Sequence, residues 1–80
     1  MQLNEIIKDL RVKRILGLLD LNIATIELDS RKVQKNTLFI AIKGTTTDGH
    51  SFITSAIEKG ASAIICEVLP KKTNSNITYI

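Results

Sequence analysis

Eighty residues, 44% of them hydrophobic, make one small domain with an aliphatic core: there are two Phe, one Tyr and no Trp. A chain of this size buries only about 60–65% of its unfolded surface, so its stability is marginal. Eleven Lys and Arg against eight Asp and Glu give a net charge of +3; the basic residues are scattered and lack interleaved aromatics, which argues against a nucleic-acid partner and suits a small anionic ligand.

The chain opens on Met-Gln-Leu-Asn-Glu, which lacks the basic and apolar regions of a signal peptide. No run approaches the roughly 18 apolar residues of a membrane span. These features predict a soluble cytoplasmic protein with no membrane partner. Leu3, Ile6, Ile7 and Leu10 recur at helical spacing and predict a short amphipathic helix over residues 3–10, capped weakly by Gln2 or Asn4. Residues 11–21 are ambiguous. Val12, Ile15, Leu16, Leu18 and Leu19 fit a continued helix, whereas Gly17 and the following Leu-Leu-Asp-Leu-Asn fit a strand and a turn; a strand over residues 12–16 is the expectation.

Residues 23–28 alternate as a half-buried strand and run into Asp29-Ser30-Arg31. Residues 34–37 are turn-like, and residues 38–42 form a continuous apolar run, short enough for a strand buried on both faces. Lys43-Gly44 ends it, and residues 45–50 are a polar loop with the turn pair Asp48-Gly49. Ser51 is placed to cap a helix over residues 51–59, with Phe52, Ile53, Ala56 and Ile57 on its apolar face. Lys59 gives it a basic last turn and Gly60 a C′ glycine. Residues 61–67 read as the next buried strand, residues 70–76 as an exposed loop and residues 77–80 as the start of another strand. Because natural C-termini fray in polar sequence, the apolar ending Ile77-Thr78-Tyr79-Ile80 leads us to expect one domain of a longer protein.

Strand, loop, helix and strand over residues 38–66 make a βαβ unit with parallel strands and a right-handed crossover. The expected class is α/β, a small open sheet. In such sheets ligands bind beyond the carboxyl ends of the strands, which singles out the loops 29–31 and 44–50. Gly44 permits close backbone approach, Thr45, Thr46 and Thr47 offer hydroxyls and N–H donors, and the following helix adds a weakly positive end. An ordinary βα loop has the same composition. Ser30 suits a phosphate oxygen or a base edge. Arg31 suits a phosphate, or an ion pair with Asp29 at a capped strand end.

His50 is the sole histidine and Cys66 the sole cysteine. Together they make neither a catalytic triad nor a zinc site, and one cysteine allows no internal disulfide. His50 reads as structural or ligand-facing, and Cys66 as a small buried hydrophobe. Lys71-Lys72 reads as a solvated turn. No G-x-x-x-x-G-K-[ST] phosphate loop is present. No catalytic residue, metal site or cofactor is therefore expected on these 80 residues.

Four blocks in order, Leu-Asp-Ser-Arg-Lys-Val, Leu-Phe-Ile-Ala-Ile-Lys-Gly, Thr-Asp-Gly-His-Ser-Phe-Ile and Ala-Ile-Glu-Lys-Gly-Ala, resemble the N-terminal domain of the Mur ligases. The likeness covers about residues 23–70. It is nearest to the ligase that adds meso-diaminopimelate or L-lysine to UDP-N-acetylmuramoyl-L-alanyl-D-glutamate. The ligase that adds D-alanyl-D-alanine shares Asp-Ser-Arg and Asp-Gly-His, but usually carries a bulkier insert at Thr45-Thr46-Thr47.

The resemblance implies that residues 1–80 are a domain holding the UDP moiety of the muramoyl peptide. A central domain would bind ATP and magnesium, and a C-terminal domain the incoming amino acid. ATP would phosphorylate the D-glutamate carboxylate, and the amine would attack the acyl phosphate. Carried over by position, Leu28 and Ser30 match contacts to uridine diphosphate, and Thr45, Thr46 and Thr47 match the loop at the uracil end. Arg31, Gly44 and His50 stand as further candidates. Family members often carry His-Gln where this chain has Thr45-Thr46, which leaves the loop backbone as the part that carries over. The alternative from another class is a stand-alone binding or interaction module.

Overall fold

The computed structural model describes residues 1–42 and 49–80. Four strands form one sheet: β1 (Thr25–Glu27), β2 (Thr37–Ile40), β3 (Ala61–Ile65) and β4 (Thr78–Tyr79). Their order is β1-β2-β3-β4 and every pairing is parallel. Two short helices, α1 (Leu3–Ile7) and α2 (Ile53–Glu58), and two 3-10 turns, Ser30–Lys32 and Gly49–Phe52, complete the described elements. The expected α/β open sheet is present, and β2, α2 and β3 are its βαβ unit.

Strand alternation divides the apolar residues between two faces. Phe39, Ala41, Ile64 and Tyr79 face one cluster, with Val33, Ile53, Ala56 and Ile77 from the crossovers. Leu38 and Ala63 face the other, with Leu3 and Ile7 of α1 and Ile23. Leu38, Phe39, Ala63 and Ile64 are fully buried. This is the condition in which a strand reads as a continuous apolar run rather than an alternating one. The register slips by one residue between Thr37 and Leu38, so that Ser62 is the extra residue of a bulge.

Several elements differ from the expectation. Residues 12–16 form no strand. Only Leu16 pairs, antiparallel to Tyr79, through two 2.8 Å backbone hydrogen bonds. Gly17 follows with φ of +117° and its Cα lies against Thr78, so the chain turns away after one pair. Helix α1 stops at Ile7, short of Leu10, and Gln2 at its N-cap makes no side-chain capping bond. Ser51 lies inside the second 3-10 turn, so the N-cap of α2 is Phe52 rather than Ser51. β2 stops at Ile40, leaving Ile42 largely exposed. Cys66 is half-buried rather than buried; it packs against the first cluster, and desolvation pushes its thiol pKa up. The glycine after α2 behaves as expected: Gly60 has φ of +116°, and its Cα sits where a Cβ would lie 2.8 Å from Lys35 Cα.

Candidate functional site

β1 and β2 run side by side in parallel, with Glu27 opposite Phe39. The chain therefore leaves both strands at the same end of the sheet, and Leu28 emerges beside the end of β2. Leu28 is 60% exposed, whereas Ser30 is 9% exposed. The difference follows from the turn between them. Asp29 stays extended and caps the first 3-10 turn, its Oδ1 accepting the Arg31 backbone N–H at 2.9 Å.

The Arg31 side chain closes on the same carboxylate, donating from Nε to Oδ1 at 3.0 Å and from Nη2 to Oδ2 at 2.9 Å. This bidentate geometry is the strong form of the contact, and it realises the ion-pair reading of Arg31. The side-chain hydrogen bond from Arg31, followed by its backbone N–H, holds the Asp29 pKa down to about 2. The same pairing raises the Arg31 pKa. Both groups face solvent, so the pair shapes the turn more than it stabilises the fold. From the far end of α2, Lys59 Nζ donates to the Ser30 carbonyl at 3.1 Å.

The second loop is described at its two ends. Gly44, Thr45, Thr46 and Thr47 lie outside the described residues. Gly49 N–H donates to the Ile42 carbonyl at 2.7 Å, which closes the loop on itself. A Cβ on Gly49 would lie 2.7 Å from Ile42 N and 2.9 Å from Ile42 O. The glycine is required there by the close approach of two backbones, a reason that the turn pair Asp48-Gly49 did not announce.

His50 bonds to the segment that follows β3. Its Nε2 accepts from the backbone N–H of Glu67 at 3.1 Å and of Val68 at 3.2 Å, at the end of β3. The imidazole thus clamps the segment after β3, two strands from β1. The spacing from Gly44 to Gly49 equals that of a phosphate loop, with His50 at the lysine position and Ser51 at the Ser/Thr position. Of this side chain, Nε2 is engaged by the backbone N–H groups of Glu67 and Val68.

Two cavities open at the carboxyl ends of β3 and β4. One, of about 430 Å³, is lined by His50, Thr54, Glu67, Lys71 and Tyr79 among others. The other, of about 650 Å³, lies between residues 10–16 and the ends of the same strands. Leu28, Ser30 and Arg31 line neither. The structure thus sets Leu28 beside the end of β2, and bonds His50 to the segment after β3. Sequence reading did not find Lys59 or Gly49. Lys59 looked like an ordinary basic last turn, and its partner lies 29 residues away.

Among the described residues no three His, Cys, Asp or Glu side chains group to hold a metal ion, and no helix is long and apolar enough to cross a membrane.

The sequence pattern of the "Mur ligase family, catalytic domain" matches residues 22–79. The UDP-N-acetylmuramoyl-L-alanyl-D-glutamate--2,6-diaminopimelate ligase of Phocaeicola vulgatus is 46% identical over 80 residues, all of this chain and 16% of its own length. The ligase of the same name from Clostridioides difficile is 54% identical over 67 residues, 84% of this chain and 14% of its own. The crystal structure of MurF ligase from Thermotoga maritima in complex with ADP is 37% identical with a TM-score of 0.59, covering 64% of this chain and 12% of that one. This chain therefore spans about a sixth of the curated relatives it matches. Its sequence pattern and its parallel sheet agree, and the chain belongs to the Mur ligase family.

Proposed function

We propose that residues 1–80 are the N-terminal domain of a peptidoglycan-synthesis ligase, and that this domain holds the UDP moiety of UDP-N-acetylmuramoyl-L-alanyl-D-glutamate. The observation that carries the reading is the 46% identity to a ligase of that name across all 80 residues. Leu28 and Ser30 would meet the uridine diphosphate, with Thr45, Thr46 and Thr47 at the uracil end and Arg31 and Gly44 as further contacts. His50 remains a further candidate beside them, with its Nε2 engaged by the Glu67 and Val68 N–H groups. The whole protein would add meso-diaminopimelate in the cytoplasm, since the named relatives are diaminopimelate ligases; L-lysine is the other amine of the expectation. The MurF likeness favours, as a second reading, the homologous domain of the ligase that adds D-alanyl-D-alanine, but at 37% identity over 64% of the chain it is the weaker support.

ATP and magnesium would be held by the central domain. The described residues offer no metal-binding cluster, and the chain lacks the lysine of a phosphate loop. This domain's share of the chemistry is to bind and orient one end of the substrate, so that the reacting carboxylate is presented elsewhere. Calorimetric titration with UDP, UMP and uridine tests the reading. UDP should bind weakly and UMP should compete, and Ser30→Ala should cost on the order of 1 kcal/mol of UDP affinity. Equal affinity for UDP in the wild type and Ser30→Ala would remove Ser30 from the site.

A further inference from the structure

We infer that Lys59 is the positioning residue of the substrate turn, fixing Ser30 by gripping the peptide group that joins it to Arg31. The inference rests on the proposed UDP reading and adds to it a residue outside both loops. The peptide group between Ser30 and Arg31 has two polar ends, and side chains from two elements hold them. Its N–H donates to Asp29 Oδ1 at 2.9 Å. Its carbonyl accepts from Lys59 Nζ at 3.1 Å.

Fixing both ends of one peptide plane fixes ψ of Ser30 and φ of Arg31, and with them the direction in which the Ser30 side chain leaves the backbone. The turn's own closing bond, from Val33 N–H to the Ser30 carbonyl, is long at 3.4 Å. The shorter and charge-assisted bond from Lys59 is therefore the principal restraint on that carbonyl.

The base of the Lys59 side chain is itself anchored. Lys59 is the C-cap of α2, and its N–H donates to the carbonyls of Ser55 and Ala56 at 3.1 and 3.2 Å. The next residue, Gly60, accepts from Asn36 N–H at 3.0 Å, which ties the end of α2 to the segment that leads from the Ser30 turn into β2. Lys59 thus spans two points of one crossover, and the ammonium acts on Ser30 through its carbonyl.

The test uses the 80-residue chain and compares Lys59→Met, which keeps the aliphatic stem and removes the donor, with Lys59→Arg, which keeps a donor. UDP affinity is read by calorimetry, and amide hydrogen exchange at Arg31 is read by NMR against Tyr79. Lys59→Met should weaken UDP about threefold, the size of one modest hydrogen bond, and Lys59→Arg should restore most of it. In a Ser30→Ala background Lys59→Met should have no further effect, because contributions that pass through one group are not additive. Arg31 exchange should rise about threefold in Lys59→Met while Tyr79 is unchanged. Wild-type UDP affinity in Lys59→Met would overturn the inference, as would the same threefold loss in the Ser30→Ala background. A wild-type chain that binds no UDP refutes the UDP reading instead; the Arg31 exchange then decides the inference alone, and unchanged exchange overturns it.

Discussion

Replacing Thr37 by Val should destabilise the fold by about 2 kcal/mol, although the two side chains have nearly the same shape. Thr37 opens β2 and is fully buried. Its Oγ1 accepts from Gln34 N–H at 3.0 Å and shares a 2.8 Å hydrogen bond with Thr25 Oγ1 across the β1–β2 pair. Val fills the same space, so no cavity cost arises. It strands the Gln34 N–H, which costs about 1–3 kcal/mol, whereas the half-buried Thr25 hydroxyl turns to another partner or to water. For a domain of this size about 2 kcal/mol lowers the melting temperature by roughly 10 °C. Thr37→Ser keeps the hydroxyl and loses one buried methyl, about 1 kcal/mol. Urea unfolding at equal slope should therefore rank wild type above Ser and Ser above Val. If apolar burial decided the site, Val would equal or exceed the wild type and Ser would be the weakest. That order would refute the reasoning.

Gly49→Ala should cost about 1–3 kcal/mol and move the ends of the second loop apart, because the new Cβ meets the Ile42 backbone at 2.7–2.9 Å; denaturant midpoints and the Gly49 and Ile42 amide shifts check it. Asp29 gives a signed pH dependence. Its folded pKa, about 2, lies below the ordinary 3.8, so its contribution is present above pH 3.8 and is lost as pH falls toward 2. The stability difference between wild type and Asp29→Asn, read by denaturant unfolding, should shrink over that window; a difference that grows on acidification contradicts the assignment.

What the sequence disclosed tracks what is local. The unbroken apolar run through Leu38 and Phe39 signalled a strand covered on both faces, and both residues are fully buried. Gly60 signalled the end of α2 through the left-handed backbone that follows it. The stretch 12–16 was illegible because its place is set by a single pairing of Leu16 with Tyr79, 63 positions on, and no periodicity encodes one bridge. The partners of His50 and Lys59 were illegible for the same reason. Each bonds backbone groups far along the chain, Glu67 and Val68 for one and Ser30 for the other, and nothing in their neighbours marks the partner. The Asp-Ser-Arg block was legible as a turn, and the choice between ion pair and free cation for Arg31 needed the geometry.

The most direct measurement is an NMR titration of the isotope-labelled 80-residue chain with UDP. The account predicts saturable shifts at Leu28, Ser30 and residues 45–47, a smaller response at Glu67 and Val68, and competition by UMP. Arg31→Ala should weaken UDP more than uridine if its guanidinium leaves Asp29 for the diphosphate. Saturating UDP that moves no resonance in either loop would contradict the account and leave the interaction-module reading in its place.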